Sequence, residues 1–123
     1  MYLVIDNSVD NQVLFHVYLN TKWVQAVVAT NQKNLLVALD EFCVSVDKQI
    51  KDLEGIAVVV GVGRFTSTRV ATTTANALAL SLHIPVLAID KFSENLHEQL
   101  SNTPLGVYIS ARYSAPANIG VKK

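Results

Sequence analysis

A single cysteine, three prolines and no apolar run close to the ~20 residues of a membrane span set the first limits on this 123-residue chain. Cys43 has no second cysteine to pair with, so no disulfide framework exists, and a reducing compartment is expected. It falls within an apolar helical pattern and reads as packing, since an activated thiol needs cationic neighbours. Residues 1–10 carry no basic stretch ahead of an apolar core, which excludes a secretory leader in that segment. The expectation is a soluble, cytoplasmic protein with no membrane partner. Charge of one sign is lacking as well: ten basic and ten acidic residues cancel and are interspersed, so no basic stripe offers itself to a phosphate backbone. Tight binding of RNA by this chain alone is therefore not expected. What is abundant is apolar surface, at 50% of residues, enough for the core of one domain.

Three runs of β-forming residues, Tyr2 to Val9, Gln12 to Leu19 and Lys22 to Thr30, are separated by the turn pairs Asp10-Asn11 and Asn20-Thr21 and predict an antiparallel meander. After Asn31, a candidate N-cap, Leu35, Leu39, Phe42, Val46 and Ile50 recur at helical spacing, and this first helix is expected to end before Gly55. Ile56 to Val60 is continuously apolar and too short for a helix, as in a strand covered on both faces. A second helix is predicted from about Thr66 to Leu82, stopped at His83-Ile84-Pro85 and followed by a short strand, Val86 to Ile89. Beyond Asp90 the pattern weakens to a short amphipathic helix over Lys91 to Leu100, an extra strand over Gly106 to Ala111 and a loose tail over Tyr113 to Lys123. The expected division is one lobe over residues 1–103 and a remainder over 104–123.

The order βββαβαβ is that of the ribonuclease H-like lobe in the actin and sugar-kinase superfamily, an α/β fold with helices packed on a mixed sheet. The residues Gly55 to Asp90, GIAVVVGVGRFTSTRVATTTANALALSLHIPVLAID, resemble the TsaB (YeaZ) family segment IAV-x-x-GPGSFTGLRIG and its Ala-rich helix, and LVIDNS near the start is similar to that family's LAIDTS. Gly61, Gly63, Phe65, Thr66 and Arg69 match, whereas Val62, Arg64 and Ser67 depart from the pattern. The resemblance covers the N-terminal lobe alone, and residues 104–123 fall where the family's second lobe begins. It implies a non-catalytic subunit of the machinery that makes threonylcarbamoyladenosine in tRNA. Such a subunit pairs with a TsaD-like catalytic partner and a TsaE-like ATPase, holds no cofactor of its own because ATP and metal belong to the partner, and meets tRNA only through the complex.

The residues themselves leave two functions open. Gly61 and Gly63 lie between a strand and a helix, where backbone N–H groups can face a phosphate, and Asp6 ends the first strand, so a nucleotide-binding or phosphotransferase-like module is one reading. The blander alternative is a tight turn with Asp6 as its cap: Thr66 stands where a third glycine of GxGxxG would be, and no Lys-Ser/Thr pair follows. His16, His83 and His97 are too scattered for a metal cluster and read as ordinary core or surface histidines. Arg69, near the start of a helix, could reach an anion or pair locally.

The other reading is protein interaction. At about 100° per residue, the second helix carries two apolar stripes, Ala71, Ala75, Leu78 and Leu82 on one side and Val70, Thr73, Ala77 and Leu80 on another. Arg69, Thr72 and Asn76 separate them along one border. Val37 and Val44 form a smaller second stripe on the first helix. Covering a sheet requires one stripe, so the second is expected to meet another helix in a homodimer or in a heterodimer with a TsaD-like subunit; loops or the C-terminal tail are the alternative cover. The same two helices form the subunit interface in the resembled family.

Overall fold

The structure is a computed structural model and describes residues 1–6, 12–29, 35–60 and 65–106. Strands β1 (Tyr2–Asp6), β2 (Gln12–Leu19) and β3 (Lys22–Ala29) are followed by α1 (Leu35–Ser45), β4 (Gly55–Val59), α2 (Phe65–Leu82), β5 (Val86–Ile89) and α3 (Leu96–Ser101). They build one five-stranded sheet of order β3-β2-β1-β4-β5. β1 pairs antiparallel with β2 and parallel with β4, and β5 adds parallel to β4. This is the ribonuclease H-like arrangement expected from the element order. Its hairpin turns at the predicted pair: Asn20 and Thr21 have φ of 51° and 66°, and Leu19 pairs with Lys22. Two consecutive left-handed residues match the right-handed twist of the strands, but threonine is poorly suited to that region. Thr21→Gly is expected to raise stability by about 1 kcal/mol, measurable as a higher urea midpoint.

Strand alternation gives the sheet two different faces. One carries Leu3, Ile5, Val13, Phe15, Val17, Ile56 and Val58, and against it pack Leu35, Ala38, Leu39, Phe42 and Cys43 of α1 and Ala71, Ala75 and Ala79 of α2. Phe15 stacks on Phe42 with ring centroids 5.3 Å apart. The opposite face carries Val4, Ala57 and Val59, covered by Leu96 and Leu100 of α3. Close approach there depends on Gly55, where a Cβ would lie 3.0 Å from Cδ1 of Tyr2 and 3.2 Å from Cβ of Leu100. Gly55→Ala is expected to cost about 1–3 kcal/mol by overpacking, seen as a lower thermal midpoint with an unchanged circular dichroism spectrum at low temperature.

Helix α1 ends at Ser45, earlier than the periodicity through Val46 and Ile50 predicts. Asp47 takes φ 63°, its N–H reaches the carbonyl of Val44 at 2.9 Å, and the N–H of Lys48 reaches that of Cys43 at 2.8 Å. This paired geometry caps a helix C-terminus. Val46 and Ile50 still rest against the core, Ile50 from a 3-10 turn over Ile50–Asp52. Helix α2 stops in the same way: His83 has φ 57°, the N–H of Ile84 bonds the carbonyl of Ala79 at 3.1 Å, and Pro85 follows. The predicted helix beyond Asp90 is shorter than Lys91 to Leu100: a bend at Lys91 and a turn at Glu94-Asn95 precede α3, which begins at Leu96. Of the strand expected over Gly106 to Ala111, only Gly106 is described, in a turn at φ 80°; the rest, with the tail to Lys123, lies outside the described residues. Among the described residues no helix is long and apolar enough to cross a membrane.

Candidate functional site

The outward sides of α1 and α2 concentrate the exposed apolar surface. On α2, Ala71 and Ala75 are fully buried against the sheet, and Leu78 and Leu82 lie half-buried at its flank. Ala79 completes the buried face, and so does Thr72, a residue the stripe pattern had placed on a polar border. The border reading fails there because Thr72 lies only about 20° around the helix from Ala79 and about 60° from Ala75, both buried, so its short side chain falls on the covered side. Thr73 and Ala77 are exposed, and Val70 and Leu80 are 45% and 62% accessible. On α1, Val37 and Val44 are 44% and 66% accessible, and Leu36, which the stripe pattern left out, is 46% accessible. The two helices touch each other on the same face of the sheet. An exposed valine alone would mean little; several on two adjoining helices make the kind of patch that marks a binding surface.

The second candidate lies at the C-terminal ends of the parallel strands. Asp6 is half-buried at the end of β1, opposite Leu14 of β2. β4 runs beside β1 toward the same edge, where open α/β sheets commonly bind ligands. Gly61 and Gly63, the other half of that candidate, lie outside the described residues. Arg69 is exposed in the first turns of α2. Among the described residues no three His, Cys, Asp or Glu side chains come together as a metal site. His83 is exposed at the end of α2, while His16 and His97 are on the opposite side of the sheet from it, with α3. Cys43 is buried in α1, and burial, with smaller contributions from Asp40 and Asp52, pushes its thiol up to about 11. Native protein is accordingly expected to resist alkylation near neutral pH, with labelling appearing only on unfolding in denaturant.

Sequence patterning missed a cluster of rings on the α3 side. His16 stacks on Phe92 at 4.1 Å, His97 on Tyr18 at 4.0 Å, and Trp23 packs edge-on to Phe92 at 5.1 Å. The Trp23 indole N–H donates to the carbonyl of Glu94 at 2.9 Å. Burial holds the His16 imidazole below its ordinary value, against the attraction of Asp6. The alternation of β2, which sends His16 and Tyr18 to one side, was the available signal, but their partners come from residues 92–97.

A family model described as TsaD, tRNA N6-adenosine threonylcarbamoyltransferase, matches residues 25–117, well over half of the chain. The chain belongs to this family. This membership agrees with the resemblance of residues 55–90 to TsaB motifs. Among solved structures, YeaZ from Pseudomonas aeruginosa superposes with a TM-score of 0.64 at 21% identity, over 80% of this chain and 50% of that one. A second structure, an uncharacterized protein from P. aeruginosa with similarity to the peptidase YeaZ, gives 0.64 at 19% identity, over 82% and 48%. Both establish the common fold, and the chain spans about half the length of each. No curated protein matches the chain in sequence.

Proposed function

We propose that this TsaD-family chain is a non-catalytic interaction subunit that supports threonylcarbamoyladenosine modification of tRNA. In this reading it docks through α1 and α2 on a TsaD-like partner or on a second copy of itself. The observation that carries the reading is the pair of adjoining helices, with Val37 and Val44 exposed on α1 and Val70, Leu80 and the small residues Thr73 and Ala77 exposed on α2. Small side chains allow backbones to approach closely, and flanking valines and leucines supply apolar area, so helices of a partner can complete a four-helix arrangement. A two-fold copy can meet the same surface isologously. ATP and metal belong to the partner in this reading, a TsaE-like ATPase joins the assembly, and tRNA is reached only through the complex, in keeping with the balanced charge of the chain. The cytoplasm, where tRNA is modified, is the corresponding location.

The deciding experiment is purification of the tagged chain from its native cell together with size-exclusion chromatography of the pure protein. A TsaD-like chain is expected to co-purify, or the pure protein to run as a dimer. A monomer at high concentration that captures no TsaD-like subunit overturns the reading. The runner-up, a nucleotide-binding module at Asp6 and the Gly61–Gly63 turn, draws on the position of Asp6 at the C-terminal edge of β1. Calorimetry is expected to detect no micromolar ATP binding by the isolated chain, since the balanced charge provides little to neutralise a triphosphate. Binding that disappears in Asp6→Ala would put the runner-up first.

A further inference from the structure

His16 is an unusual core residue. It is 3% accessible in the middle of β2, and neither ring nitrogen has a hydrogen-bond partner among the described residues. One face of the ring is occupied by Phe92, with the planes 13° apart. Two residues further along β2 the arrangement repeats, as Tyr18 stacks on His97 of α3 with the planes 8° apart. Trp23 bridges the two stacks, edge-on to Phe92 and to His97, and its indole holds the backbone of Glu94. Residues 92–97 are thus fastened to the sheet by rings, two of them imidazoles, and by the fully buried Leu96. The buried apolar residues beneath are Val4, Ala57, Val59, Leu96 and Leu100, with Tyr2, Trp23, Leu87, Ile89 and Phe92 partly buried against them, a smaller cluster than the one under α1 and α2.

We propose that residues 91–106 form a proton-sensitive strap: protonation of His16 releases this segment, α3 included, while the sheet and its α1/α2 face stay folded. An imidazolium at His16 would bury two N–H donors where neither nitrogen makes a hydrogen bond to any described residue, and burying a charge without such partners is costly. The groups facing it from each packed element are few. β1 contributes the half-buried Asp6, which favours the charged ring; β3 contributes the uncharged Gln25 opposite His16; the strap contributes Phe92. Lys91 and Glu94, the charged residues of the strap nearest Phe92 in sequence, are exposed, and next along the sheet come Tyr18 and His97. Burial outweighs Asp6, so the docked state holds its proton less tightly than the ordinary imidazole value of 6.5. The released state binds more protons. Docking free energy is therefore fully present above that value and is lost as pH falls through the lowered one. The low-stability end of a structure opens first, and the small cluster on the α3 side is that end.

The chain has one tryptophan, placed in the joint itself, so it reports on release directly. The experiment follows Trp23 emission and residue-resolved hydrogen exchange of the full chain from pH 7.5 to 4.5. The expected result is a red shift of emission below pH 6.5 and loss of exchange protection over Leu96–Ser101, with the amides of Ala71–Leu82 still protected. His16→Phe, which keeps a ring in the stack and removes the proton site, is expected to abolish both changes. His16→Leu takes its place if the phenylalanine variant does not fold. The proposal is overturned if the α2 and α3 amides lose protection together, if α3 stays protected to pH 4.5, or if the response survives in the histidine variant.

Discussion

Ala77→Glu is expected to abolish self-association or TsaD-like partner binding while leaving the fold intact. Ala77 is exposed, so a glutamate there is hydrated in the free chain and costs the fold little. In a close helix contact the same carboxylate loses its water without gaining a partner. That penalty is on the order of 3 kcal/mol or more, roughly a hundredfold or greater in Kd. Sedimentation velocity or size-exclusion chromatography measures the association, and circular dichroism verifies the fold. If the variant instead unfolds, Ala77 is a core residue and the outward assignment of its stripe is wrong. If it folds and associates as before, the contact lies elsewhere on the surface.

Phe15→Ala is expected to have the largest effect on stability, about 3–5 kcal/mol, a substantial part of the 5–15 kcal/mol typical of a whole domain. Phe15 is fully buried on β2 and joins the sheet to α1 by its stack on Phe42. Truncation removes the ring's burial and that contact, and the cavity is walled by a β-sheet that cannot close in around it. Urea unfolding followed by circular dichroism measures the loss as a shift of the midpoint at constant slope. A loss under 1 kcal/mol would mean that α1 does not pack on β2 as described.

Much of the fold was legible because its signals are local. The continuous apolar run at residues 56–60 marks a strand covered on both faces, and all of its residues are buried. Asn20-Thr21 marks a hairpin turn by residue type, and His83-Ile84-Pro85 marks a helix end by the restriction proline places on the residues before it. The early end of α1 was less legible because its cap places an aspartate, Asp47, in a conformation usually given to glycine. Of the candidate site residues, Val37, Val44, Val70, Thr73, Ala77 and Leu80 could be named from helical spacing alone. The ring cluster of His16, Tyr18, Trp23, Phe92 and His97 could not, because its members come from both ends of the chain. No local period connects them.

The sequence by itself determined the order of strands and helices, the hairpin turn at Asn20-Thr21, the helix end at His83-Ile84-Pro85, and the presence of two apolar stripes on one helix. Each of these depends on residues within a few positions of one another. Only the tertiary structure decided which stripe of α2 is buried. The stripes are alike in polarity, and the choice falls to the side on which Ala71, Ala75 and Ala79, all short, let the helix lie close to the sheet. The tertiary structure likewise placed α3 on the face opposite α1 and α2, and so put His16 under Phe92 with no hydrogen-bond partner among the described residues. Burial of that imidazole follows from the pairing of β2 with its neighbours and from the path of the chain after β5, neither of which is encoded in the few residues around position 16.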